Sequence, residues 1–314
     1  MYNKTDLKNK LESIHRKSYP AYKSLRGSYT FGDFVLSIDH VQGDPFAAPS
    51  SLHVELPLAK AGFPEKYFEG RHTKTALEDL ILRKFSRALD QYSFKAKGSG
   101  KSGLISTSRP GPEVMRRTAV EFTEKLLIVR FEVGFPANGR TINAQELEKI
   151  LLDFLPQIVK KCLYYQAWDK RLVQEGFELA ENQQKIREVL EERKLVAFCA
   201  NGSILPRKSG VSSQPLKDAV AFESPKSMEL AIDLPFGGSI FGMGIPEGVT
   251  LIIGGGYHGK STLLQALEQG VYNHVKGDGR EYVITRANAL KLRAEDGRAV
   301  SNLDLSLFIH DLPN

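Results

Sequence analysis

The sequence predicts an α/β fold in two parts. Residues 1–235 read as a mixed α+β region, and residues 236–314 as the beginning of a strand–loop–helix domain of the P-loop kind. Three observations predict it. Short runs between residues 31 and 133 alternate apolar with polar side chains, the period of half-buried strands. Longer runs over 73–92, 143–164 and 168–193 place apolar residues at helical spacing. From 201 to 248 the composition shifts to Gly, Pro and Ser, and that loop-rich stretch leads into VTLIIGGGYHGKSTLLQALEQGV (249–271), an apolar run, a glycine turn and an amphipathic run in succession.

Taken in order, Leu7, Leu11 and Ile14 lie one helical turn or two apart and predict a short amphipathic helix at the N-terminus. In FGDFVLSIDHVQGDPFAAPSSLHVEL, Phe34, Leu36 and Ile38 and then Leu52, Val54 and Leu56 alternate around a Gly-Asp-Pro turn, which predicts two strands. The helix over 73–92 is followed by KAKGSGKSG (95–103), a Gly/Ser/Lys loop, and by a hairpin of 114–123 with 125–133. In the helix over 143–164, proline lacks a donor and disfavours helix in the residue before it, so a break is expected ahead of Pro156. The long polar helix over 168–193 precedes a strand, LVAFCA (195–200). Val249, Leu251, Ile252 and Ile253 predict a short buried strand, and Leu263, Leu264, Leu267 and Val271 mark one face of a helix over 260–271.

Composition bounds the function classes. A chain of 314 residues with 41% hydrophobic and 25% charged residues is in the ordinary globular range, which excludes wholesale disorder. The two cysteines, Cys162 and Cys199, form no CxxC and no Cys/His cluster, so a zinc ribbon and a secreted disulfide scaffold are both excluded. No apolar run approaches the roughly 18 residues that span a bilayer, and the basic N-terminus has no apolar core of a secretory signal. A reduced, cytoplasmic protein with no membrane contact is expected. The net charge of +6 is unevenly placed. Residues 1–30 carry seven basic against two acidic side chains, and residues 83–117 nine against two, which leaves the rest of the chain net acidic. Such a distribution suggests a surface for a polyanion. Lys95, Lys97, Lys101, Arg109, Arg116 and Arg117 are the candidate nucleic-acid contacts, with a merely solvated face as the alternative.

The most specific signal is Gly254-x4-Gly259-Lys260-Ser261, which fits G-x-x-x-x-G-K-[ST] in full. Chance would produce it on the order of once per hundred chains of this size. Gly254, Gly255, Gly256 and Gly259 let the backbone approach an anion with no Cβ in the way. Tyr257 and His258 complete the turn. Successive amides form a nest, to which the helix N-terminus adds its partial positive charge. In that arrangement Lys260 reaches the β- and γ-phosphates of ATP, Ser261 offers its hydroxyl to Mg²⁺, and Thr262 bonds an α-phosphate. KAKGSGKSG has Lys95 where the first glycine of the motif belongs, so it is a looser phosphate nest or a solvated loop. Arg207-Lys208 in LPRKSG contacts phosphate or faces solvent, and Phe236 and Phe241 are candidates to pack on an adenine.

Hydrolysis also needs an aspartate at the end of an apolar strand, for Mg²⁺, and a group that orients water. LSLFIHD, ending at Asp311, reads better as an ordinary strand and loop, and Glu295 and Asp296 as surface charges. No LSGGQ-like segment occurs.

GMGIPEGVTLIIGGGYHGKSTLLQALEQGVYNHVKGDGREYVIT, followed by KLRAEDGR and DLSLFIHDLP, resembles the predicted ATPases of the ABC class. The resemblance extends back through VQGDPFAAPS, GSGKSG, VGFPANGR and VAFCANGSILPRKSG. It implies a family-specific N-terminal domain followed by an ABC-type ATP-binding domain, with Lys260, Ser261 and Thr262 at the Walker A positions. Tyr257-His258 stands where transporter ATPases carry small or polar residues, as expected for this branch. Members of the family carry a signature motif and Walker B beyond the equivalent of Pro313, so the chain is expected to be the first part of a longer protein, able to bind nucleotide and inactive in hydrolysis by itself. The resemblance further implies a homodimer with ATP at the interface, opened and closed by Mg-ATP. A P-loop kinase or phosphotransferase is the rival enzyme class, and a nucleic-acid-binding module with a vestigial P-loop is the rival outside enzymes.

Overall fold

The computed structural model describes residues 2–292 together with 297, 301, 302, 304 and 306. Expectations that fall on Glu295, Asp296 and Asp311 lie outside the described residues.

The N-terminal body is built on a mixed sheet. Strand β1 (Tyr2–Asn3) leads directly into helix α1 (Lys4–Ile14), whose first turn is closed by a reciprocal cap between Asn3 and Asp6. β2 (Gly27–Thr30), β3 (Val35–His40) and β4 (Ser50–Pro57) follow as antiparallel neighbours, and β1 joins β2 in parallel. After the single turn α2 (Leu58–Ala61) comes the long helix α3 (Arg71–Tyr92). The short strands β5 (Ile105–Ser106), β6 (Glu113–Val114) and β7 (Val120–Phe122) precede β8 (Leu126–Val133). β8 pairs along its whole length with β4, and β5 and β7 pair with its other edge. The expected hairpin is therefore β7–β8, with 114 drawn away from it: β6 pairs elsewhere, as described below. The alternation in β4 is complete, with Leu52, Val54 and Leu56 facing the core.

β9 (Ala137–Asn138) and β10 (Thr141–Ile142) make a small hairpin. The next helix differs from expectation. Pro156 does not break it: α4 (Ala144–Glu148) runs through a π-helical stretch at Lys149–Phe154 into α5 (Leu155–Cys162). The widened turn gives the proline ring room and places Pro156 in the first turn of α5, where its missing donor is not needed.

Helix α6 (Lys170–Glu192) connects the two cores. One core runs from Leu7 to Val173, and the other residues of α6, from Ile186 on, belong to a second. That second body is an antiparallel sheet in the order β12 (Glu229–Leu234), β13 (Gly238–Pro246), β11 (Leu195–Ala200) and β15 (Val283–Thr285). It is covered by α6 on one face and by α7 (Lys260–Gln269) on the other. β11 shows why: Phe198 and Ala200 point towards α6, while Ala197 and Cys199 point towards α7. Residues 235 and 236, where sequence composition divides the chain, lie in the turn of the β12–β13 hairpin. The short strand β14 (Asn273–His274) pairs with β6 of the N-terminal body.

Candidate nucleotide site

The glycine loop starts where the sheet stops. β13 ends at Pro246, which has no amide to donate, and Gly248 at φ +111° turns the chain away. The expected strand over 249–253 is absent: these residues pair with no strand among those described, and Val249, Leu251 and Ile253 are 80%, 78% and 83% exposed. An apolar run states a demand for burial without naming the neighbour that meets it. A helix follows the loop as expected, but α7 runs from Lys260 to Gln269 and stops short of Val271; Ala266 is buried and Leu263 and Leu267 pack with it, whereas Leu264, expected on the same face, is turned outward.

Between the two, the backbone is shaped as a cradle. Gly254 lies at φ +148° and Gly259 at φ +79°, conformations that a Cβ strongly disfavours. Tyr257 adopts φ +64° with its ring fully exposed, an unusual backbone for a bulky residue. The ring of His258 packs over Gly255, so close that a Cβ there would meet it at 3.1 Å. Gly259 is the N-cap of α7 and offers no side-chain acceptor, so the first-turn amides are directed into the turn without a capping side chain. The ammonium of Lys260 donates to the carbonyls of Gly254, at 2.7 Å, and of Gly255. Ser261 is exposed and Thr262 half-buried. Bare amides, a helix N-terminus and one ammonium converge here, which fits the polyphosphate of a nucleotide. The exposed Ser261 hydroxyl is where a magnesium ion fits.

A cavity of about 370 Å³ opens beside the cradle, lined by Leu205, Pro206, Val220 and Phe222 on one side and His258, Lys260 and Thr262 on the other. Its far wall is held by a buried ionic knot. Arg207 donates to the Asp278 carboxylate and to its carbonyl, both at 2.7 Å, and His274 Nδ1 meets the same carboxylate at 2.6 Å. Arg280, 1% exposed, donates to the Leu205 carbonyl and to Gln269 at the end of α7. Burial pulls the Arg280 guanidinium down to about 10, with the neighbouring Arg207 charge acting in the same direction. Burial opposes the charge on Asp278, but the His274 hydrogen bond and the Arg207 charge outweigh it and hold the carboxyl below the usual carboxylate range. Arg207, read from sequence as a phosphate contact or a solvated charge, is thus neither: it positions the wall. Phe222 is the aromatic at this cavity; Phe236 packs instead against Phe177, with ring centroids 6.0 Å apart, and Phe241 is exposed on β13.

The six basic candidates of the N-terminal body separate into two groups. Arg109 pairs with Asp90, Arg116 with Glu121, and Arg117 with the buried Asp79, which also holds Arg83. Lys95, Lys97 and Lys101 share one loop, 95–103, in which the Lys97 amide donates to the Glu146 carboxylate at 2.9 Å and the Lys97 charge helps hold that carboxyl low, while the Lys95 ammonium lies over the Tyr92 ring. That loop is docked: the Ser99 amide donates to the Ala137 carbonyl, the Lys101 amide to Pro45, and the buried Ser102 hydroxyl accepts from Ala137. Its glycines allow this close approach, since a Cβ on Gly100 or Gly103 would strike the backbone of Pro45 or Ala96.

Two family models match the chain. One, described as the N-terminal part of an ATPase of the ABC class, matches residues 4–166, and the other, the P-loop domain of the same class, matches residues 169–314. The chain belongs to the ABC-class ATPases. It is also 36% identical over 140 residues to the uncharacterized protein MJ1628 of Methanocaldococcus jannaschii, a match that covers 42% of this chain and 31% of that protein. The chain thus aligns with about a third of the length of the curated relative it matches. Both matched regions contain features described above: loop 95–103 in the first, the Gly254–Thr262 cradle in the second. Among the described residues, no helix is long and apolar enough to cross a membrane.

Proposed function

We propose that this chain binds Mg-ATP through the Gly254–Thr262 cradle and supplies one half of an ABC-type site. The observation that carries the reading is the α7 N-terminus, where left-handed Gly259 and the Lys260 ammonium converge with no capping side chain. Lys260, held on two loop carbonyls, exchanges these weak acceptors for phosphate oxygens, and the amides of 255–261 hold the polyphosphate chain. Ser261 would hold a magnesium ion, which would supply counter-charge to the polyphosphate. Phe222, Val220 and Leu205 offer an apolar wall to the base and exclude water from one side of it. No carboxylate lines the cradle or this cavity among the described residues, so the contribution of those residues is binding and positioning.

In the whole protein the proposed activity is ATP hydrolysis coupled to the opening and closing of a homodimer, in a cytoplasmic setting. RNA or DNA is the proposed partner of the N-terminal body, through Lys95, Lys97 and Lys101. Titration of a fluorescent ATP analogue with magnesium tests the core of the reading. Saturable binding at one site per chain is expected, with Lys260→Ala weakening it by about tenfold or more, the size of a lost charge-assisted contact. Absence of binding, or equal binding by the variant, overturns it.

A further inference from the structure

Away from the nucleotide cradle, a cavity of about 420 Å³ lies between α3 and α6, within the size range of small-ligand sites, roughly 300–1,000 Å³. Its walls are Leu80 of α3 and Leu179 of α6, one end is the single tryptophan, Trp168, and its roof is His274–Lys276. Two cations reach it without a carboxylate partner among the described residues. Lys84 lies over the Trp168 ring, 3.8 Å from its centroid, and donates to the Ala167 carbonyl, while Arg87 stands exposed at the rim. Burial holds the Lys84 ammonium below the usual lysine range, as for a charge without an anion to match it. The acidic side chains of the lining are already engaged, Asp79 by Arg83 and Arg117 and Glu175 by Lys276.

Gly176 adds an independent observation. It stands in the interior of a 23-residue helix, where glycine costs about 0.5–1 kcal/mol relative to alanine. Nothing crowds it: an added Cβ would meet only Leu80, at an ordinary 3.8 Å. Helix packing therefore does not require a glycine there, and what its missing side chain leaves is the open floor of this cavity.

We propose that this cavity is a binding site for a small organic anion with an apolar body, the body against Leu80, Gly176 and Leu179 and the anionic group towards Arg87 and Lys84. The site is separate from the nucleotide cradle, and its test does not depend on nucleotide binding. The probe is 1-anilinonaphthalene-8-sulfonate, added to the folded chain and followed by quenching of Trp168 emission and by calorimetry. One saturable site per chain is expected. Arg87→Gln, at the exposed rim, is expected to weaken binding by about tenfold; Gly176→Leu, which fills the floor, is expected to abolish it; and the uncharged analogue N-phenyl-1-naphthylamine is expected to bind at least about tenfold more weakly. Thermal unfolding of each variant separates lost binding from lost folding, and if Gly176→Leu does not fold, Arg87→Gln and the uncharged analogue decide. Non-saturating binding, equal affinity in a folded Arg87→Gln variant, or equal affinity for the uncharged analogue overturns the proposal.

Discussion

Asp278 is the residue on which the wall of the cavity beside the glycine loop depends, because Arg207 and His274 meet on one carboxylate that is almost wholly buried. Removing its charge strands Arg207 in an apolar setting, so Asp278→Asn is expected to destabilise the fold by about 3–5 kcal/mol in urea unfolding. The sign with pH follows from the direction of its shift. The carboxyl titrates lower in the folded chain than in the unfolded one. Its contribution is therefore complete above the unfolded value, about 3.9, and is lost as pH falls through the folded value. Wild type should lose stability on acidification through this range, and the variant should lose less of it. The two cysteines give a second test at this scale. Cys162 and Cys199 are fully buried, and desolvation pushes their thiols up to about 11 and about 12. Native protein should leave both unmodified by a thiol reagent at pH 8, and denatured protein should expose both. The sequence held no hint of Arg207's partner, which is 71 positions further along the chain.

At the scale of elements, α7 and its loop form one unit: the glycines bend the chain so that the helix begins at the proposed phosphate site. Gly259→Ala places a side chain at φ +79°, with a strain of about 1–2 kcal/mol. It is expected to reduce affinity for the ATP analogue by roughly tenfold, since 1.4 kcal/mol corresponds to tenfold, with little change in circular dichroism. The helices α3, α6 and α7 were legible because a 3.6-residue period records which face is buried. Two things were not. Pro156 announces a break by its local chemistry, yet the π-helical turn before it accommodates the ring without ending the helix. The run Val249–Ile253 has the composition of a core strand, but strand formation needs a partner with free ladder positions, and the chain turns out of the sheet at Gly248. The glycine turn and the helix after it were readable because a contiguous segment carries its own geometry; the Leu205–Phe222 wall, assembled from separate loops, was not.

Across the whole molecule, the formal charge of +6 says less than its placement. Three of the six basic candidates are already neutralised by Asp79, Asp90 and Glu121, and three lysines remain together on loop 95–103. If these contact three phosphates of a single strand, log affinity should fall with log salt at a slope of about −2, from roughly −0.7 per phosphate. Lys95→Gln, Lys97→Gln and Lys101→Gln combined should flatten that dependence in a filter-binding or anisotropy titration. Replacing Arg117 instead should lower thermal stability, because it leaves Asp79 short of a counter-charge. Composition could locate the basic segment but could not sort its members, since pairing is decided by which acidic side chains the fold brings alongside.

The pairing of β6 with β14 gives the two bodies a mechanical link beyond the α6 connection. Asn273 and His274 follow α7 by only a few residues, while Glu113 and Val114 are separated from Arg116 and Arg117 by Met115 alone. The ladder thus fastens the segment just after α7 to the N-terminal body by main-chain pairing, a tie that side-chain substitutions in these strands leave in place.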